Sequence, residues 1–361
     1  MTRATAGAPP SEVVLGDAVW RISRAWPLGA DPAAGLAVEA NSGRDSVRAA
    51  LWRDGGLELL GVGEDPKLSE LRELASAGTV VSHRLRKRAV VRLTDGSEFV
   101  KVVRAGRADG ILAGIEQARP FEAGFRTPEV LGSTAATVRF SALAGRSLHE
   151  ATAFTDGEWH RAWEQVGSGL VRSHGATSTL VGKALRHHEI GDEVRVLEDW
   201  YERAAPWVAD PGALRLLVLG AVADLRRLGR HGWVPTHRDL HDKQLMWDPE
   251  LGPGMLDVDT ACLSHPALDL GNLRAHARWR VLQGLWSRDR AAVVADMVDR
   301  VADSVGVPPD EVAVFERATL ARISCVYAFR PGHARTAQHL QKVLRHRVSG
   351  RQGGFCTNEL Y

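Results

Sequence analysis

The sequence predicts an α+β fold with two lobes, a small antiparallel β lobe followed by a larger α-helical lobe, and a β-rich extension in front of both. Three observations indicate it: short β-like runs in the first seventy or so residues, three β-branched runs between Thr79 and Arg104, and amphipathic helical patterns in the second half. The predicted boundaries are 1–77 for the extension, 78–143 for the small lobe and 144–361 for the helical lobe.

The extension is predicted from the runs LAVEA, from Leu36, and SVRAALW, from Ser46, which NSGRD and RDGG turn signals bound. The segment PKLSELRELASAG, from Pro66, then places three leucines at helical spacing and ends in Gly78. We expect a helix there and a new unit after it.

The small lobe is predicted from the strands TVVSHRL, AVVRL and EFVKVVR, with a basic turn at Arg86 to Arg88 and a TDGS turn between them. ADGILAGIEQA then has one apolar helical face, and Pro120 stops the helix. A further strand pair spans roughly Glu129 to Ala142. The segments EWHRAWEQVGSGLVRSHG and LRLLVLGAVADLRRLGRHG, each closed by glycine, predict the helical lobe.

Composition limits the classes of function. Hydrophobic residues at 44% and charged residues at 25% are typical of a folded, water-soluble protein. A net charge of +2 gives no reason to expect a nucleic-acid or membrane partner. Three cysteines without a CxxC pair indicate neither disulfides nor a thiolate metal site, and the N-terminus has no signal-peptide core, so we expect a cytoplasmic protein.

The segment from Pro235 to Asn272 carries the chemistry. A loop with Asp239 and Gln244 precedes a predicted hairpin, LMWD-PELGPG-MLDVD, which contains Asp257. A hairpin brings the loop before it and the residues after it to one end, so these oxygen-bearing side chains converge. Phosphoryl transfer needs a carboxylate that orients a hydroxyl and hard oxygen ligands for magnesium. Asp239 is therefore the candidate base, and Gln244 and Asp257 are the candidate metal ligands.

Two motifs in this segment resemble those of the aminoglycoside phosphotransferase and choline kinase superfamily. THRDLHDKQLMW is similar to its catalytic loop, HGDLHxxN, and MLDVDTACLSHPALDLGN to its metal segment, IDFDxAxxGDPxxDLA. The resemblance covers roughly Thr79 to the C-terminus. It implies a protein-kinase-like fold, ATP and Mg²⁺ as cofactors, and a small-molecule acceptor.

The resemblance also implies roles for individual residues. It makes Asp239 the catalytic aspartate and Asp257 the metal-binding aspartate, with Asp269 and His237 bracing the catalytic loop. Lys101, one of only six lysines, resembles the lysine that contacts the nucleotide phosphates.

Glu116 on the next helix is the expected ion-pair partner of Lys101, with Glu122 as the fallback. The basic turn at Arg86 to Arg88 either contacts phosphate or is solvated.

Two residues depart from the family pattern. Gln244 replaces asparagine, as in maltokinase-like and glucosamine-kinase-like members, and Arg238 makes the loop read HRD, as in protein kinases. A protein kinase is excluded because the few residues between Asp257 and Pro266 leave no room for an activation loop. No GxGxxG occurs either.

The expected function is transfer of the γ-phosphoryl group of ATP to a hydroxyl of an aminoglycoside, an amino sugar or another sugar. The alternative is a nucleotide-binding pseudokinase that acts as a sensor or scaffold. Asp259 either binds a second metal or faces solvent. The acidic segment from His187 to Glu202 either meets a cationic sugar or is a solvated helical face.

Overall fold

The computed structural model describes residues 8–29, 31–43, 46–176, 185–229 and 231–349. The first seven residues and the Arg44–Asp45 end of the predicted NSGRD turn lie outside these ranges. The α+β prediction is confirmed, with antiparallel sheets first and helices in the second half. None of the described helices has the length and apolar character that a membrane span requires.

The N-terminal extension forms one antiparallel sheet in the order β1-β2-β3-β4-β5. Its strands are β1 Glu12–Leu15, β2 Ala18–Pro27, β3 Leu36–Asn41, β4 Arg48–Arg53 and β5 Gly56–Leu59. The two predicted strands are β3 and β4. The longest strand, β2, was not predicted, although buried Trp20 and Ile22 alternate with exposed arginines along it. A bulge between Ile22 and Arg24 interrupts that alternation.

The small lobe forms the second antiparallel sheet, in the order β6-β7-β8-β10-β9. Its elements are α1 Leu71–Ser76, β6 Gly78–Arg84, β7 Arg88–Leu93, β8 Glu98–Val103, α2 Ala108–Gln117, β9 Val130–Ser133 and β10 Thr137–Ser141. The predicted meander, the helix after it and the strand pair are all confirmed. Helix α1 is shorter than predicted, since turns precede Leu71 and Glu70 gives it no side-chain cap.

The extension is bonded to the edge of the small-lobe sheet. The amide of Val47 donates to the carbonyl of Val80 at 2.8 Å, and the Val80 amide donates to Ser46 Oγ at 3.1 Å. The buried Glu39 carboxylate accepts from the His83 amide at 2.8 Å and from Ser82 Oγ at 2.6 Å. Since β6 is an edge strand, these contacts cover polar groups that would otherwise lack partners.

The helical lobe contains two small sheets, β11-β14-β15 and β12-β16-β13. Its elements are β11 Arg146–Ser147, α3 Asp156–Gly175, β12 His187–His188, α4 Ile190–Ala204, α5 Pro211–Leu225, β13 Val234–Thr236, β14 Leu245–Asp248, β15 Gly252–Met255, β16 Cys262–Ser264, α6 Ala267–Leu282, α7 Arg288–Ser304, α8 Pro309–Val326 and α9 Ala334–Ser349. Helix α3 begins with a capping box of Thr155 and Glu158. Helix α5 ends at Leu225, before the glycine predicted to close it.

Helix α6 is the centre of the helical lobe. Every residue from Ala267 to Arg280 is buried, and α7 and α8 pack against it. Gly271 permits the approach of α8, since a Cβ there would lie 2.5 Å from Cβ of Phe315. A helix enclosed in this way is a rigid support. It carries Asp269 and Asn272, which contact the loop after β13.

Candidate active site

The catalytic loop after β13 is held by helix α6. The buried Asp269 carboxylate accepts from the amides of His237 at 2.6 Å and Arg238 at 3.0 Å, and Asn272 Nδ2 donates to the Arg238 carbonyl at 3.0 Å. Arg238 has a φ of 74°, a conformation that needs such external support. Burial raises the pKa of Asp269 to about 6. The predicted bracing role of Asp269 is confirmed.

His237 joins the catalytic loop to the segment that carries Asp257. Its buried Nε2 donates to the Leu256 carbonyl at 2.8 Å, and Thr260 Oγ1 donates to the His237 carbonyl at 2.9 Å. An imidazole that donates to a main-chain carbonyl is a structural tie. The bracing role expected of His237 is confirmed.

Asp239 lies in this loop, accessible to solvent but surrounded by protein. Burial acts to raise its pKa, but His241, Arg322 and His237 together hold the pKa below its usual range. Asp257 acts in the opposite direction. Because the charge of Asp257 acts on Asp239, the two carboxylates lie within electrostatic range of each other.

The predicted hairpin is confirmed, but its second strand lies earlier in the sequence than expected. Leu245 pairs with Met255, and β15 ends there. Asp257 follows in a left-handed conformation, with a φ of 54°, and Asp259 lies in the 3-10 turn Val258–Thr260. Both aspartates therefore project from irregular backbone beyond the hairpin.

Lys101 crosses from the small lobe to both aspartates. Its Nζ lies 2.8 Å from Asp257 Oδ1 and 2.9 Å from each carboxylate oxygen of Asp259. Burial acts to raise the pKa of Asp257, but the charges of Lys101 and Arg88 keep this pKa low. The pKa of Asp259 is raised, because burial and the charge of Asp257 act on it together. The Asp259 side chain is only 14% exposed, so it faces Lys101 instead of solvent.

Gln244 ends a 3-10 turn, Asp242–Gln244, beside the segment that carries Asp257. Its carbonyl accepts from the Leu256 amide at 2.8 Å, which places it next to the main chain before Asp257. The half-buried Gln244 side chain forms no hydrogen bond with any residue that the structure describes. Its amide oxygen is therefore uncommitted.

The predicted ion pair between Lys101 and Glu116 is wrong. Glu116 is exposed and bonds Arg119, whose Nε lies 3.1 Å away, while Lys101 is engaged by Asp257 and Asp259. Gly114 is the residue of α2 that packs directly on the backbone of Asp259. Two residues along a helix correspond to about 200° of rotation, so Glu116 points elsewhere. The fallback, Glu122, is exposed on the following 3-10 turn.

Gly114 allows α2 to touch the metal-segment backbone. A Cβ at this position would lie 1.9 Å from the carbonyl oxygen of Asp259 and 2.9 Å from its Cα. Such distances are far inside van der Waals contact, so only glycine permits this packing. The sequence alone gave no signal of this contact.

Gly114→Ala is expected to displace α2 or the Val258–Thr260 turn and to lower stability by about 1–3 kcal/mol. Because Lys101, Asp257 and Asp259 depend on that packing, we expect the affinity for the predicted nucleotide, measured with AMP-PNP, to fall as well. Thermal unfolding and isothermal titration measure both effects. Gly110→Ala on the same helix is the control, because nothing lies within 4 Å of its added Cβ and it removes a helix glycine. Equal stability and affinity in the two variants would contradict the packing argument.

The basic turn is shaped by a buried carboxylate. Asp65 accepts from the Arg86 amide at 2.7 Å and from His83 Nε2 at 3.0 Å, and Arg86 has a φ of 57°. The Arg86 amide is therefore already used. Of the three basic residues of the turn, Arg88 is the one whose charge lowers the pKa of Asp257.

Most acidic side chains of the segment from His187 to Glu202 have partners. Buried Glu193 bonds His188 Nε2 at 2.9 Å and lies 3.6 Å from Arg322 Nη1. Asp192 bonds Arg195 and the Glu189 amide. These contacts build the start of α4 and leave few free acids for a cationic sugar. Arg322 also bonds Asn272 Oδ1 at 3.0 Å, which places it below the catalytic loop, and no sequence signal indicated it.

The model of the family described as "Phosphotransferase enzyme family" matches residues 73–300, well over half of the chain. The chain belongs to the phosphotransferase enzyme family. The predicted recognition and enzyme class are therefore confirmed. The family match includes both motifs and Lys101, and it begins after the N-terminal sheet. No curated protein sequence matches this phosphotransferase.

Solved structures show the fold of this phosphotransferase. Amicoumacin kinase in complex with AMP-PNP, Ca²⁺ and Ami aligns with a TM-score of 0.56 and 12% identity, over 75% of this chain and 89% of that chain. A choline kinase from Streptococcus pneumoniae aligns with a TM-score of 0.52 and 14% identity, over 74% and 92%. These similarities confirm the kinase-like fold.

Proposed function

We propose that this phosphotransferase moves the γ-phosphoryl group of ATP to a hydroxyl of a small polar molecule, an aminoglycoside, amino sugar or other sugar. The observation that supports it best is the meeting of Lys101 with Asp257 and Asp259 across the two lobes, within electrostatic reach of Asp239. Phosphoryl transfer needs this combination, a cation for the phosphates and a carboxylate for the acceptor hydroxyl. The proposal places the enzyme in the cytoplasm, where ATP is available.

Asp239 is the proposed catalytic base. Its lowered pKa keeps it ionised at neutral pH, so it accepts a hydrogen bond from the acceptor hydroxyl. A carboxylate of low pKa is a weak base, and much of its effect is to orient the hydroxyl for in-line attack. Asp269 and His237 keep the loop that carries it in place.

The residues beside Lys101 fit a magnesium ion. Asp257, Asp259 and the uncommitted amide oxygen of Gln244 are hard oxygen donors. Asp257 and Gln244 are the proposed ligands, and the ion supplies charge neutralisation for the phosphates when it is bound. In amicoumacin kinase the crystallised complex contains AMP-PNP and Ca²⁺.

Lys101→Met is expected to lower kcat/KM by about 10²-fold, mainly through a higher KM for ATP, since the variant loses the cation that faces the phosphates. It also leaves Asp257 and Asp259 together without a counter-charge. Steady-state kinetics with varied ATP checks this. Lys67→Met, at an exposed lysine, is the control. An unchanged KM for ATP in Lys101→Met would contradict the assignment.

A screen of ADP release tests the proposed function. Wild-type protein is mixed with Mg²⁺-ATP and pools of neutral sugars, amino sugars and aminoglycosides. We expect acceptor-dependent ADP release from at least one pool, with phosphorylated product seen by mass spectrometry. ADP release from none of them would count heavily against the proposal.

The second candidate is a nucleotide-binding pseudokinase. Gln244 in place of asparagine and the use of the Arg86 amide by Asp65 favour it, because both remove possible phosphate or metal contacts. It predicts that AMP-PNP and Mg²⁺ raise the melting temperature of wild type and Asp239→Asn alike while neither releases ADP. ADP release by wild type but not by Asp239→Asn excludes the pseudokinase.

A further inference from the structure

One face of the small-lobe sheet carries a row of cations. Lys101 pairs with Val90 across β8 and β7, and Arg88 pairs with Arg84 across β7 and β6. Since side chains alternate along a strand and cross-strand partners share a face, Lys101, Arg88 and Arg84 lie on the same face. Arg88 lies two residues beyond Val90, about 7 Å nearer the turn. Because Lys101 reaches Asp257, this face is turned towards the helical lobe.

Two other parts of the molecule reach this row of cations. From the extension, Arg24 Nη1 lies 3.5 Å from Ser82 Oγ, and the guanidinium of Arg84 lies 5.1 Å from the centre of the Trp26 ring. From the helical lobe, the guanidinium of Arg330 lies 5.9 Å from the same ring. We call Arg24, Trp26, Arg84 and Arg330 the Trp26 cluster.

The Trp26 cluster has more positive than negative charge. Its described contacts give it one carboxylate, Glu39, whose Oε2 lies 3.6 Å from Arg24 Nε. Glu39 is also occupied by Ser82 and the His83 amide. Burial, with the charges of Arg88, Arg203 and Arg330, lowers the pKa of Arg84 to about 10. Like charges gathered in a partly buried place are unfavourable unless an anion joins them.

One donor of the cluster is also unused. Arg330 Nε is buried and has no hydrogen-bond partner among the described residues. An unpaired buried donor costs free energy, whereas a guanidinium stacked on an aromatic ring is well oriented for a carboxylate or phosphate. The geometry and the charge therefore point to the same class of ligand.

We infer that the Trp26 cluster binds an anionic group, a carboxylate or a phosphate, on the acceptor substrate. The inference rests on the proposed function, which assigns Lys101 to the nucleotide phosphates. The cluster lies beyond Lys101 towards the turn. Since the acids from Glu189 to Glu198 are largely paired, an acidic sugar or a sugar phosphate fits this site better than a cationic aminoglycoside.

A titration with inorganic phosphate tests the cluster directly. The protein is saturated with AMP-PNP and Mg²⁺, and phosphate is compared with chloride at equal ionic strength by thermal unfolding. We expect phosphate to raise the melting temperature of wild type, and Arg84→Gln and Arg330→Gln to weaken the phosphate response about tenfold. Arg21→Gln is the control, because Arg21 lies on the same strand as Arg24, is exposed and pairs with Glu12.

Two outcomes of this titration overturn the inference. One is a phosphate response no larger than that of chloride. The other is a loss of AMP-PNP affinity in Arg84→Gln and Arg330→Gln that matches their loss of phosphate response, because the cluster then serves the nucleotide.

Paired acceptors separate this inference from the proposed function. ADP release is measured with glucose against glucuronate and with glucosamine against glucosamine 6-phosphate. The inference predicts a lower KM for the anionic member of a pair and about a tenfold rise of that KM in Arg330→Gln. Turnover of neutral or cationic members alone overturns it and leaves the proposed function standing. No turnover with any acceptor counts against the proposed function, while the phosphate titration still decides on the cluster.

Discussion

Asp239→Asn is expected to lower kcat by about 10²–10⁴-fold while the fold and the nucleotide affinity stay unchanged. Asparagine has the same shape but neither accepts a proton nor carries a charge. The loop should keep its conformation, because Asp269, Asn272 and His237 hold it through contacts that do not involve the Asp239 side chain.

The effect is measured by ADP release under saturating ATP and acceptor, together with AMP-PNP affinity by isothermal titration. Asp303→Asn, at an exposed helix position, is the matched control and should keep wild-type activity. A fall in kcat that is confined to Asp239→Asn supports the role of Asp239 in the chemical step. Wild-type kcat in Asp239→Asn would require another base.

Asp242→Asn is expected to destabilise the protein by about 3–5 kcal/mol. The carboxylate of Asp242 is buried and accepts from Arg280 Nε and Nη2, both at 2.9 Å, and it also contacts His149. The Arg280 side chain is itself only 2% exposed, so the variant leaves a buried cation without a negatively charged partner. The turn that carries Gln244 begins at Asp242, and activity should fall too.

The destabilisation should depend on pH. Burial acts to raise the pKa of Asp242, but Arg280 and His149 together hold it far below its usual range. A carboxyl with a depressed folded-state pKa contributes stability above its unfolded pKa of about 3.9, and this contribution is lost as the pH falls below that value. The stability curves of wild type and Asp242→Asn should therefore converge in acid.

Urea unfolding between about pH 2 and 8 measures both effects. Glu12→Gln, which removes an exposed ion pair with Arg21, is the control and should change stability by less than about 1 kcal/mol. The double variant Asp242→Leu with Arg280→Met should recover much of the loss, since it removes both buried charges. A small effect of Asp242→Asn at neutral pH would show that the pair is not essential.

The sequence by itself determined the local architecture and selected the main candidate catalytic residues. The strands of the small lobe follow from β-branched alternation and an Asp-Gly turn, and α2 follows from its apolar face and Pro120. The order and spacing of the two motifs selected Asp239 and Asp257 as site residues. The same resemblance assigned Asp269 to the catalytic loop, and its bonds to the loop amides confirm that role.

Only the tertiary structure decided which side chains meet across the chain. Lys101 pairs with Asp257 and Asp259 and not with Glu116, because the Gly114 contact sets the rotation of α2 against the metal segment. The Trp26 cluster likewise gathers its members from distant segments. Periodicity reports which face of an element is buried, but it carries no information about the partner that covers that face. Packing between elements far apart in the sequence makes that choice.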